Sequence, residues 1–140
     1  MKKRFMACVV LGIAAAFVIS GCGNGHNSAY KSAISDLVSA KEKFAGDIAG
    51  ATSAQALANA TKSFAGSIDK FVQTRTDLFM KYPQLTDRGP YPENITKLLE
   101  QSAKLDEKID SVIIPAMDKF PGDAGVLSAW EELNSKRSSL

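Results

Sequence analysis

From Ala29 onward, apolar side chains recur every three or four positions, which is the period of one face of an α-helix. In the first such segment Ile34, Leu37, Val38, Phe44 and Ile48 mark the apolar face, and Lys41, Glu42 and Asp47 are expected on the opposite, solvated one. Gly50 offers a stop. Thr52 stands three residues before Gln55, the spacing of a capping box at the start of a second helix.

The second segment runs from about Ser53 to Tyr82. Leu57, Thr61, Phe64, Ile68, Phe71, Arg75, Leu78 and Tyr82 repeat in alternating steps of four and three, a heptad-like seam interrupted by Thr61 and Arg75. A threonine there can fix register, and an arginine can extend its charged head into water. The seam is also a candidate surface for self-association. Tyr82-Pro83 ends it, because proline disfavours a helical predecessor and has no N–H to donate.

Leu85 to Tyr91 reads as a loop, and Pro92 before Glu93 suits the first turn of a third helix. Asn94 is placed to cap that helix. Ile95, Leu98, Leu99, Leu105, Ile109, Val112 and Ile113 carry the apolar face, and Pro115 is expected to kink or split the helix. Pro121-Gly122-Asp123 is a break. Asp123 can then cap a last short helix bearing Val126, Leu127, Trp130 and Leu133, with Trp130 expected to seal the bundle. No strand pattern occurs. The fold expected is all-α: an antiparallel three-helix bundle with a short fourth C-terminal helix.

The N-terminus follows a different logic. Met1-Lys2-Lys3-Arg4 is basic and Phe5 to Ile19 is an apolar run, as in a secretory signal. The run is shorter than the roughly twenty apolar residues that a spanning helix needs. It is followed by Ile19-Ser20-Gly21-Cys22, which resembles the lipobox of bacterial lipoproteins. The resemblance covers residues 1–22. It implies cleavage between Gly21 and Cys22, a diacylglycerol on the Cys22 thiol and an acyl chain on the freed amine. Such lipids anchor a chain stably to a membrane, since two or more acyl chains hold where one holds only marginally. Gly23, in the position where an Asp commonly marks inner-membrane retention in such lipoproteins, implies the outer membrane, facing the periplasm. Residues 1–21 are thus read as the signal, 22–28 as a polar, glycine-rich tether, and 29–140 as the helical domain.

This division changes the charge. The whole chain has a formal net charge of +2, but three of its 17 Lys and Arg residues precede the cut, leaving 14 basic against 15 acidic side chains. A near-neutral body without a basic cluster gives no footprint for nucleic acid. Of the two cysteines, Cys8 lies in the signal and Cys22 at the junction, so the body has neither thiol nor disulfide.

Candidate chemistry is sparse. His26 is the only histidine and falls in the expected tether, so nucleophile–base pairings that need an imidazole are missing and no metal site is expected. Asp106, Glu107 and Asp110, near Lys104 and Lys108, read as a solvated charged face, as do Glu131 and Glu132. No H-E-x-x-H, C-x-x-C or phosphate-cradling glycine motif is present. The expectation is a non-enzymatic interaction or structural module of the cell envelope without a cofactor. Tyr82, Arg88 and Tyr91, on a proline-bounded loop, are its candidate contacts to a protein partner. The alternative is a haem- or ligand-binding bundle, for which His26 with Met80 or Met117 would have to supply axial ligands.

Overall fold

In the computed structural model, residues 25–85 and 90–140 are described. The signal, the Gly21/Cys22 junction and Arg88 lie outside them. The described residues form four helices and no strand: α1 (Gly25–Ala49), α2 (Ala54–Lys81), α3 (Glu93–Met117) and α4 (Ala124–Arg137). Among them no helix is long and apolar enough to cross a membrane.

Helix α1 starts four residues before the expected domain boundary. Gly25 to Ser28 are helical, although their composition is that of a linker. Packing explains the difference: His26 and Asn27 are half-buried, and the His26 ring lies 5.6 Å from that of Tyr82. Tertiary contact overrides a weak local propensity. At the other end the Gly50 N–H donates to the Gly46 carbonyl at 3.0 Å, closing the helix where the glycine was expected to.

The cap of α2 is Ser53, whose Oγ accepts from the Ala56 N–H at 3.1 Å, one position beyond the capping box expected at Thr52. Gln55 instead donates to Asn59 along the helix surface. The seam of α2 is consumed inside the chain: Leu57, Thr61, Phe64, Ile68 and Phe71 are all buried. That stretch is not a free surface for self-association, while Arg75, Leu78 and Tyr82 beyond it are half-buried. Thr61 is accommodated because its hydroxyl donates to the Leu57 carbonyl at 2.8 Å, so that group is not left unpaired in the core.

Pro92 precedes α3 without a side-chain cap, and Asn94 stays exposed in the first turn rather than capping it. The helix runs through Pro115 and ends two residues later at Met117. Near a terminus the missing N–H removes one bond but interrupts little that follows. Asp123 caps α4 as its spacing predicts, accepting from the Val126 N–H at 2.9 Å. Gly122 holds φ +75 at the turn before it.

Helix α1 packs against both α2 and α3, and α4 packs against α2, whereas α2 and α3 scarcely touch. Phe44 and Phe64 stack between α1 and α2 with centroids 4.6 Å apart, and Tyr30 meets Phe79 near the opposite end. From α4, Val126, Ala129 and Leu133 enter the core. Trp130, expected as the seal, is only half-buried at its edge, because the helical spacing turns Ala129 and Leu133 inward instead. The last turn of α4 is tied to α2 by Lys136–Asp69 at 2.9 Å and to α3 by Arg137–Asp110 at 2.8 Å.

Candidate functional site

Because α2 and α3 both lean on α1 but not on each other, a cleft opens between them with α1 as its floor. It has a volume of about 530 Å³, within the roughly 300–1,000 Å³ usual for small-molecule sites. Ile34 and Leu37 of α1, Phe71 of α2 and Leu99 of α3 supply its apolar surface. Tyr30 and Tyr91 close one end, their rings 5.5 Å apart. Leu140, just past α4, lies on its rim.

Three charged side chains line this cleft: Lys41, Asp106 and Arg75. Lys41 was expected on the solvated face of α1 but is 2% exposed. Its ammonium donates to Ser102 Oγ at 2.7 Å, to the Ser102 carbonyl at 3.3 Å and to Asp106 Oδ2 at 2.6 Å. An ammonium has three N–H groups, and all three are engaged. Ser102 and Asp106 are one turn apart on α3, so one helix face presents both acceptors to the lysine. Asp106, read from sequence as part of a solvated charged face, is in fact a partner of this buried cation with its side chain 37% exposed. The signal for Lys41 was its register: seven residues after Ile34 and seven before Ile48, it stands on the apolar stripe itself.

Arg75 comes from the α2 seam, half-buried, with its guanidinium carbon 5.7 Å from the centre of the Phe71 ring. Nη1 donates to a backbone oxygen of Leu140, the last residue, at 2.6 Å and Nη2 to the Ser139 carbonyl at 2.9 Å. The head does not extend into water as expected of a seam arginine. It ties the residues just past α4 to the side of α2.

The expected contact residues are placed differently. Tyr82 and Tyr91 are half-buried, their rings set against His26 and Tyr30 of α1, and Leu85 between them in sequence is buried. Another cavity, of about 380 Å³, is lined by His26, Leu85, Pro90 and Tyr91 among others. The Nδ1 atom of His26 is shielded from solvent and has no hydrogen-bond partner among the described residues. Of the suggested haem ligands, Met80 is 70% exposed, and Met117 is at the far end of α3 from Tyr91, which packs near the start of α1. Among the described residues no group of three or more His, Cys, Asp or Glu side chains could hold a metal ion.

At the α4–α2 contact the Lys136 ammonium faces the Asp69 carboxylate. The hydrogen bond to Asp69, helped by its negative charge, raises the Lys136 amine above the ordinary lysine value. Comparison with known proteins finds no matching family, no similar curated protein and no similar solved structure.

Proposed function

We propose that this chain is the precursor of a bacterial lipoprotein, anchored through lipid on Cys22, whose helical body works as a non-enzymatic interaction or structural module at the cell envelope. The observation that carries it is the N-terminal register: three basic residues, a short apolar run, and Ile19-Ser20-Gly21-Cys22 directly after it. Gly23 favours the outer membrane with the body in the periplasm. Tyr82 and Tyr91, at one end of the body, remain the partner contacts in this reading, together with Arg88, which falls between them in sequence. The helical body is what a stable anchored module needs, since its described residues share one contiguous apolar core, with the Lys41–Asp106 pair tying α1 to α3 beside it.

In the same reading, α1, α2 and α3 form an antiparallel three-helix bundle with α4 as a shorter fourth member. Contacts between α1 and α2 support it by running in opposite chain order, Phe44 with Phe64 but Tyr30 with Phe79. Those between α1 and α3 keep the same order, Tyr30 with Tyr91 and Lys41 with Ser102.

Mass spectrometry of the protein from its native host tests the anchor. The expected product begins at Cys22 and carries acyl chains; Cys22→Ser stays unprocessed and loses the modification. An unmodified residue 22 with the leader attached or cut elsewhere overturns the reading. A second reading, a ligand-binding bundle, is favoured by the open cleft between α2 and α3.

A further inference from the structure

We propose that the end of the body formed by the start of α1, the end of α2 and the start of α3 docks on a bilayer surface containing anionic phospholipid. Met80 is seated among the lipids, and Lys31 and Lys81 meet their phosphates. This deepens the lipoprotein reading and rests on it, because an acylated Cys22 would enter the membrane beside this same end. The three helix ends are gathered by ring contacts, His26 with Tyr82 and Tyr30 with Tyr91. Apolar exposure is the first observation. Met80, in the last turn of α2, is 70% exposed, the most of any large apolar side chain among the described residues. Its neighbours Leu78 and Phe79 pack against the core and leave it uncovered. A methionine is flexible enough to fit an irregular surface of lipid chains.

Charge is the second observation. Lys31 and Lys81 are exposed, and neither meets a carboxylate among the described residues. Lys81 lies over the Tyr82 ring, 5.4 Å from its centre. Of the acids nearby, Glu93 is answered by Lys97 at 2.6 Å, and Asp77, one turn before Lys81, accepts from Gln73 at 3.0 Å. Two ammonium groups thus stand against one carboxylate. Beyond the far end of α3 the balance is reversed, with Asp118 and Asp123 against Lys119. The near-neutral body is polarised along its axis, and its positive end is the one that Cys22 adjoins. An amphipathic surface binds a bilayer through buried apolar area together with attraction to anionic lipid, and this end supplies both. Each lysine close to such a surface favours the docked state about fivefold.

The lipoprotein purified from its native host and placed in vesicles tests this. Cys8 leaves with the signal and the Cys22 thiol is blocked by lipid, so one introduced cysteine can carry a nitrobenzoxadiazole dye. The exposed positions Gln84, at the docking end, and Thr52, between α1 and α2 at the other, take it in turn as Gln84→Cys and Thr52→Cys. In vesicles of phosphatidylcholine mixed with phosphatidylglycerol, nitroxide-bearing lipid is expected to quench the dye at 84 and spare it at 52. Met80→Gln should weaken the quenching at 84, and so should Lys31→Gln combined with Lys81→Gln, with lipidation and helical circular dichroism retained. Loss of both lysines should lower the ratio of docked to undocked protein about thirtyfold. Phosphatidylcholine alone should reproduce that loss. Quenching at 84 that is indifferent to Met80, to both lysines and to phosphatidylglycerol shows a body held near the surface by its tether alone; it overturns the proposal and leaves the lipoprotein reading intact. Sensitivity to Met80 without sensitivity to the lysines overturns the anionic-lipid assignment. Equal quenching at 52 and 84 overturns the choice of this end. A mass spectrum of the same preparation with residue 22 unmodified overturns the lipoprotein reading, and the proposal with it.

Discussion

Lys41 and Asp106 stand 65 positions apart in the chain, yet ammonium and carboxylate meet at 2.6 Å between α1 and α3. The lysine is buried and the aspartate partly open to water, so the two ends of the pair respond differently to substitution. Asp106→Asn is expected to destabilise the protein by about 1–3 kcal/mol, below the 3–5 of a fully buried broken pair because water reaches the carboxylate. Lys41→Met, which fills similar volume and removes the charge, is expected to be neutral or stabilising. Urea denaturation of both variants checks this, and a Lys41→Met change costing more than the Asp106 change would contradict it.

The burial pattern of α4 ranks its side chains. Leu133→Ala should cost about 2–5 kcal/mol as a core truncation. Trp130→Ala should cost less than that despite the larger side chain, since only part of the indole leaves water. Thermal melts of the two variants compare them directly; a larger loss at Trp130 would be inconsistent with the edge position of its ring.

Two glycines separate backbone need from backbone slack. Gly122 sits at φ +75, where an alanine is strained, so Gly122→Ala should destabilise by about 1 kcal/mol or more. Gly66 lies inside α2 with open space where a Cβ would go, so Gly66→Ala should stabilise by about 0.5–1 kcal/mol. Midpoints in urea with unchanged slope would verify both signs.

Asp69 raises the proton affinity of the Lys136 amine, and the sign of its pH effect follows. The contribution is fully present below the ordinary lysine value and fades as pH rises through the higher folded value. The contact is at the surface, so its effect on stability is small. Asp69→Asn is expected to return the Lys136 titration, followed by NMR of its side chain, towards that of the exposed lysines. An unaltered titration would separate the shift from Asp69.

Helix number and most boundaries were legible because three-and-four spacing, Gly50, Tyr82-Pro83 and Asp123 are local signals. Gly25 to Ser28 were not, since their helix is held by contacts such as that of His26 with Tyr82, distant in sequence. Lys41 was misplaced by reading its charge before its register. Asp106 gave no warning at all: on α3 it resembles its solvated neighbours, and only the approach of α1 distinguishes it. The cleft was equally hidden, because it arises from a pair of helices that do not meet, and no periodicity within a single helix encodes that. Arg75 was noticed as an interruption of the seam, but its two oxygen partners come from the opposite end of the chain.

The early start of α1 has a consequence for how the anchored protein would stand. With lipid on Cys22, only Gly23 and Asn24 separate the anchor from the first helical residue. Three residue steps of fully extended chain reach at most about 11 Å. The leash is thus well under half of a bilayer's hydrocarbon thickness of about 30 Å. The end of the body that carries His26, Tyr82 and Tyr91 would be kept within touching distance of the headgroups, so a partner using those tyrosines would meet them at the membrane surface.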